Sequence, residues 1–505
     1  MNDLGFNASR RNMLKGSAGL AAVPFVSTFA LMAARNAQAA DCTRLATMAA
    51  SPFGPVAPVA DLTTGMPLLQ LPAGFSYRTI GWQDDLMSDG VTCPARFDGM
   101  AVVQHRRDGR STELVLVRNH EVGNFARKTG AAPTYDSALN AAGLHAGGGT
   151  TTLVLRDGEV VDVRASLAGT MTNCAGGATP WGTWMSCEEN TEDRTAVGGK
   201  KHGYVFEVDP DPARTTAQPL VQMGRFKHEA VAIDPTNNIC YQTEDASPVS
   251  ALYRFVPDNG GGYTGAYADG GRLYAARIKR IERSAAATLV DANATAFASP
   301  CVGDEYLLEW VELANPDAAP TTANVVGTVR NVSGPFAQAW NAGCARMLRG
   351  EGIWYHGGRI YIVDTAAGGD GALWELNPAS GRIKCIYVSN NQLAGNNLDN
   401  ITISPRGGII CCEDGGNSPD QFGNGSRLFG IDNQGSPFIL AKNNLNFSAE
   451  QYAAAGKTLT AGNGNQLGSE FCGACFDPLG RTLFVNIQTP GITFAITGPW
   501  ATGNL

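Results

Sequence analysis

Short apolar runs ending in an acid or an amide recur along this chain. Residues 114–119 end in Asn119, 184–188 in Glu188, 239–244 in Glu244, 360–364 in Asp364, 409–413 in Glu413 and 483–486 in Asn486. A second apolar run precedes each, usually opening 13 to 15 positions earlier, on Asp98, Cys174, Glu229, Glu351, Asp399 with Asn400, or Cys472. Glu121, Glu189 and Asp414 stand just beyond the ends of the later runs. Carboxylates gathered in such number push one another toward protonation unless cations lie among them. Oxygen donors suit calcium, magnesium, manganese or ferric iron, and calcium is the first expectation. Cys174 is the discordant donor, and one thiolate among carboxylates admits iron as a second metal. With only six His in the chain, a binuclear site built on several imidazoles is disfavoured, although His120 and His228 lie inside the pattern. Arg349 precedes Glu351 by two residues, so a strand would put both on one side, where a guanidinium fork can bind phosphate-type oxygens.

Such donors meet only if the elements bearing them converge. Turn sequences such as residues 234–238, 404–408 and 477–480 join the paired runs into hairpins. Further strands follow at 203–208, 251–256, 372–376 and 427–431. Six hairpins separated by outer strands predict an all-β fold, a six-bladed β-propeller with loop and short helical insertions. Equivalent inner-strand ends would then point into one funnel. Two stacked β-sandwiches are the competing architecture. The largest insertion runs over about 257–339 and contains a helix expected at 280–287. A second helix is expected at 448–455, where Ser448 provides an N-cap.

Residues 1–39 read as a targeting segment. Arg10-Arg11 followed by Leu14 and Lys15 resembles the twin-arginine consensus, and the lightly apolar stretch behind it, interrupted by Pro24, ends at Ala37-Gln38-Ala39. It is too weakly hydrophobic for a spanning helix, so no stable membrane anchor is expected. Residues 40–505 would form one propeller domain, delivered to the periplasm or beyond by the twin-arginine export machinery. Losing the leader's surplus of three positive charges takes the formal net charge from -8 to about -11. Nucleic acid is thereby disfavoured as a partner. Hydrophobic residues at 44% and charged ones at 17% describe a well-buried globular chain, and 61 Gly with 26 Pro imply many turns. All twelve Cys follow the leader, in a compartment that permits disulfides. Residues Cys411, Cys412, Cys472 and Cys475 lack the spacing of a zinc ribbon, which leaves buried thiols or disulfides.

Several motifs together resemble one family. They are Asn119-His120-Glu121, Asn173-Cys174-Ala175-Gly176-Gly177 continuing to Trp181, Cys187-Glu188-Glu189-Asn190, Gly224-Arg225-Phe226 with His228-Glu229, Arg349 with Glu351-Gly352, and residues 484–488. The resemblance is to the PhoX-type alkaline phosphatases, and it extends to about Gly491. It implies a secreted, monomeric six-bladed propeller that hydrolyses small phosphate monoesters with an iron–calcium cluster in its funnel. Matched motif by motif, Cys174 and Glu229 would bind iron. Glu351 and the acids at Glu188, Glu189, Glu413 and Asp414 would hold calcium, with Glu121 in the same ring, and Asn119 and Arg349 would contact phosphate. Val122 and Thr489 depart from the pattern, where an aromatic residue and His are expected. The reaction would be a metal-assisted in-line displacement with Arg349 steadying the equatorial charge and no Ser, Thr or His nucleophile. A calcium-dependent lactonase or esterase propeller, and a non-enzymatic binding propeller with structural calcium, are the alternative readings of the same ring.

Overall fold

The computed structural model describes Cys42 and residues 45–505 except Ala285, Ser418 and Asn433. The leader expected over 1–39 lies outside the described residues. Strands dominate. Six antiparallel hairpins are formed by β1 (Phe97–Asp108) with β2 (Ser111–His120), β3 (Asn173–Ala178) with β4 (Trp184–Glu188), β5 (His228–Asp234) with β6 (Ile239–Glu244), β7 (Gly350–His356) with β8 (Arg359–Asp364), β9 (Leu398–Ile403) with β10 (Ile409–Glu413), and β11 (Phe471–Phe476) with β12 (Thr482–Ile487). The first strand of each hairpin packs on the first strand of the next, and β11 returns to β1, so these strands close a cycle. The architecture is propeller-like, with sheets radiating from a near-closed barrel. Stacked sandwiches would not bring the six opening strands into one cycle.

Turn chemistry fixes the hairpins where the sequence carries it. Between β5 and β6, Asp234 accepts the N–H of Thr236 at 3.0 Å, and Asn238 takes a φ of 55°, a left-handed conformation that Asn tolerates. Outer strands extend the hairpins unequally. Strand Ser76–Trp82 pairs with Ile492–Thr497 beyond β12, so a strand from before the first hairpin completes the sheet of the last one. That pairing completes the outer edge of the last sheet, while the inner cycle closes where β11 packs on β1.

The expected insertion lengthens a sheet. Gly271–Arg283 and Glu305–Glu312 pair with each other, and the latter pairs with Arg382–Val388, joining the β5–β6 and β7–β8 hairpins into one nine-stranded sheet. The helix expected at 280–287 does not form. Residues 280–283 continue the strand, with Arg280 and Ile281 paired to Leu307 and Tyr306. The helix α1 starts only at Leu289 (Leu289–Thr295), where Thr288 accepts the N–H of Asp291. Cross-strand pairing overrides local propensity there. Helix α2 is Gly334–Asn341, and α3 is Ala449–Ala454, the latter with the expected Ser448 cap completed by Gln451 as a capping box.

Apolar faces of neighbouring sheets bury Trp374, Phe297 and Tyr306 in one cluster and Phe75, Phe438, Phe494 and Trp500 in another. Each such side chain contributes roughly 1.5–3 kcal/mol. Cys42 and Cys301 form a disulfide. Cys411, Cys412 and Cys475 are buried thiols within the apolar clusters. Among the described residues no helix is long and apolar enough to cross a membrane.

Candidate metal and phosphate site

The hairpins repeat one register. The residue before the opening acid or thiol pairs across the hairpin with the last residue of the second strand: Phe97 with His120, Asn173 with Glu188, His228 with Glu244, Gly350 with Asp364, Leu398 with Glu413 and Phe471 with Ile487. The strand then bulges, and Asp98, Cys174, Glu229, Glu351, Asp399 and Cys472 take equivalent positions at the axis. Small residues follow most of them because the inner strands nearly touch there. A Cβ on Gly99 would lie 2.4 Å from Ala175 Cα, and one on Gly352 2.8 Å from Asp399 O.

Pleating decides which partner-strand residues join them. The residue just past each second strand donates its N–H to the carbonyl two positions before the axis residue, at 2.9–3.2 Å in all six hairpins. Those residues are Glu121, Glu189, Asp245, Thr365, Asp414 and Gln488, and all but Thr365 line the funnel. The strand-end residues face the other way. A cavity of about 440 Å³ results, lined by Asp98, Glu121, Cys174, Glu189, Glu229, Asp245, Glu351, Asp399, Asp414 and Glu470, with Arg96, Arg349 and Gln488 in the same wall.

Three of the assigned residues are therefore elsewhere. Glu188 is fully buried away from the cavity, accepting from His202 Nδ1 at 2.6 Å and from the N–H groups of Met171, Gly203 and Tyr204. Glu413 takes the bidentate fork of Arg427 at 2.7 Å and the N–H of Asn396. Both carboxylates are saturated by protein donors, and their neighbours Glu189 and Asp414 line the funnel instead. Asn119 is also fully buried. Its Nδ2 donates to the carbonyls of Cys174 and Ala175, and its Oδ1 accepts from Trp184 and Ser186. It ties one hairpin to the bulge of the next. Glu244 and Asp364 likewise turn from the axis, toward Tyr253 and toward the N–H groups of Leu348 and Arg349. His120 and His228 are buried outside the wall. Burial drives His228 down to about 3, and it stacks on Phe226 at 3.7 Å.

Cys174, Glu189, Glu229, Glu351, Asp414, Glu121 and Arg349 do come together. Other than those of Glu121 and Arg349, their donor atoms fall with those of Asp98, Asp399, Glu470 and Cys472 into overlapping groups, each within 4.8 Å: Cys174 with Glu189 and Glu229, Glu229 with Glu351 and Asp399, Asp399 with Asp414 and Glu470, and Asp98 with Glu470 and Cys472. Burial and then neighbouring carboxylates, Asp399 among them each time, push Asp98, Glu229, Glu351 and Glu470 well up. Burial and Asp414 bring Asp399 up to about 7, and burial and Asp245 bring Glu189 to about 8. Burial and the Asp98 carboxylate also push the Cys174 thiol well up. Glu229 Oε1 is buried without a hydrogen-bond partner. An orphaned oxygen among crowded carboxylates fits a metal site in which these acids would supply oxygen donors and Cys174 a sulfur donor.

Arg349 is oriented by two acids. Its Nε donates to Asp245 at 2.7 Å and its Nη2 lies 2.9 Å from Glu351. Burial would lower its pKa, but the Asp245 and Glu351 carboxylates hold it above the usual arginine value. Its Nη1 has no hydrogen-bond partner among the described residues. Asp245, Glu470 and Arg96 are not singled out by the sequence pattern as read from strand ends. The repeat position would have found them, since each is the counterpart of a recognised residue: Asp245 of Glu189, and Glu470 and Arg96 of Arg349.

A propeller-like fold here gathers a thiol, nine carboxylates and two guanidiniums in one funnel, with carboxylate groups that could hold metal ions. The chain belongs to the alkaline phosphatase PhoX family, whose model matches residues 51–166 and 161–491. Among solved structures it is similar to Pseudomonas fluorescens PhoX in complex with vanadate, a transition-state analogue. The identity is 18%, the match covers 89% of this chain and 98% of that one, and the TM-score is 0.59, a likeness of fold. A gluconolactonase from Xanthomonas campestris matches at 11% identity over 90% of this chain and 99% of its own, with a TM-score of 0.39 that carries no argument. No curated protein matches the chain.

Proposed function

We propose that this chain is an exported phosphatase that hydrolyses small phosphate monoesters in its funnel, with calcium and iron as its cations. The observation that carries the reading is one cavity in which mutually repelling carboxylates surround an oriented guanidinium, in a chain of the PhoX family. Cys174, Glu189 and Glu229 are suited to iron, and Glu351, Asp399, Asp414 and Glu470 to calcium. Cations held there would neutralise charge on the phosphoryl oxygens.

The chain's own groups supply the rest. Asp245 and Glu351 fix the Arg349 fork, so that Nη1 can donate to the equatorial phosphoryl oxygens without reorganising. Among the described residues no imidazole lines the cavity, in keeping with an in-line displacement that does not depend on a histidine-activated hydroxyl. The cavity volume suits a phosphoryl group with a small leaving group. The repeating register supports a count of six blades in a single domain over 40–505, with the insertion at 257–339 bridging two of them. Arg10-Arg11 supports twin-arginine export to the periplasm or beyond, and we take the protein to act as a monomer.

The test is hydrolysis of p-nitrophenyl phosphate by the exported protein and its Arg349→Ala variant. The variant should lose on the order of a hundredfold in kcat/KM, as expected for an electrostatic donor. Unchanged turnover would refute the role of Arg349, and hydrolysis of lactones with none of the phosphate ester would favour the lactonase reading.

A further inference from the structure

The carbonyls that close each hairpin belong to Arg96, Thr172, Lys227, Arg349, Asn397 and Glu470, each two positions before an axis residue. Arg349 and Arg96 are the two guanidiniums of this layer, and both line the cavity. Their strands, β7 and β1, stand three steps apart in the closed cycle of six, so the two arginines enter the funnel from opposite sides. Lys227 belongs to the same layer but pairs with Glu189 at 3.4 Å and stays out of the cavity wall.

Arg96 is held in place at a backbone cost. Its φ is 51°, a left-handed conformation unfavourable for a residue with a side chain. Its Nε donates to Glu121 O at 3.1 Å and its Nη2 to Glu121 Oε2 at 3.0 Å, while the preceding carbonyl of Ala95 meets His120 Nδ1 at 3.1 Å. Its Nη1 has no hydrogen-bond partner among the described residues. The Arg96 side chain is 49% exposed against 29% for Arg349. This resembles the arrangement of Arg349: an acidic residue just past a second strand holds Nε and Nη2, and Nη1 is left without a hydrogen-bond partner among the described residues.

We infer that Arg96 is a second substrate-binding guanidinium, which grips the phosphoryl dianion from the side of the funnel opposite Arg349. A dianion has enough non-bridging oxygens to accept from both forks, whereas one arginine would discriminate less against singly charged esters. The inference rests on the phosphatase reading and deepens it.

The experiment compares the full-length exported protein with its Arg96→Gln and Arg96→Lys variants. It measures KM and kcat for p-nitrophenyl phosphate, the inhibition constant of inorganic phosphate, and cation content by elemental analysis. In Arg96→Gln, KM and the phosphate inhibition constant should rise together by about tenfold, the loss of roughly one charge-assisted contact. The effect on kcat should be smaller, cation content should be unchanged, and Arg96→Lys should recover part of the affinity. Unchanged phosphate inhibition would overturn the inference, and if cation content fell as well, Arg96 would serve only to hold Glu121. A wild-type protein that neither hydrolyses the ester nor binds phosphate would sink the phosphatase reading itself, an outcome distinct from a normal wild type with an unaffected variant.

Discussion

Adjacent residues in this funnel have opposite fates. Glu188 and Glu189 are neighbours, yet the first is spent on His202 and three backbone N–H groups and the second faces Cys174 and Glu229. Glu413 and Asp414 divide in the same way. The contrast yields a paired prediction. Glu189→Gln should lower the cation content of the purified protein while leaving its melting temperature in chelator little changed. Glu188→Gln should leave cation content intact and destabilise the fold by about 1–3 kcal/mol, the usual consequence of disturbing a buried charged network. Elemental analysis beside thermal unfolding separates the two, and the reverse pattern would contradict the orientation described for these strands.

At the scale of elements, the hairpin register is what the sequence carries most legibly. Asp98-Gly99, Glu229-Ala230 and Glu351-Gly352 are readable as an axis donor followed by a small residue, because the chemistry and the steric crowding both fall on consecutive positions. Which face a strand-end acid takes is less legible, since Glu188 and Glu189 are the same residue type and only the pairing register distinguishes them. Arg280 and Ile281 read as helix from local sequence, and the long pairing with Glu305–Glu312 makes them strand instead. Asn119 stands between these cases: its motif is recognisable, but its four hydrogen bonds make it a tie between hairpins. Asn119→Ala should therefore cost about 2 kcal/mol or more in unfolding free energy through the buried groups it strands, with the phosphate inhibition constant unaltered. A large rise in that constant at undiminished stability would restore a substrate role.

The outer clamp of the β3–β4 hairpin also predicts a pH dependence. Burial opposes protonation of His202, but its bonds to Glu188 and Asp136 raise its pKa above 6.5 overall. A raised folded-state value means that the stabilisation is fully present below pH 6.5 and is lost as pH rises through the folded pKa. The difference in unfolding free energy between wild type and His202→Gln should therefore be largest in mildly acidic buffer and shrink toward alkaline pH. A difference that grew with pH would reverse the assigned charge state.

For the whole molecule, closure and function have one cause. The cycle of opening strands, closed where β11 packs on β1, forces donors from six distant stretches of chain into a cavity of about 440 Å³. Their mutual repulsion is tolerable in the folded state only with protons or cations among them. A bound cation at a hundred times its dissociation constant contributes about 2.7 kcal/mol, so the same ions that serve the anion should also hold the propeller together. The most direct test is elemental analysis of the purified mature protein, with p-nitrophenyl phosphate hydrolysis and thermal unfolding measured before and after chelation. Calcium and iron together, with hydrolysis and melting temperature both falling on chelation, are the expected result. Turnover that persists in a cation-free protein would contradict the account.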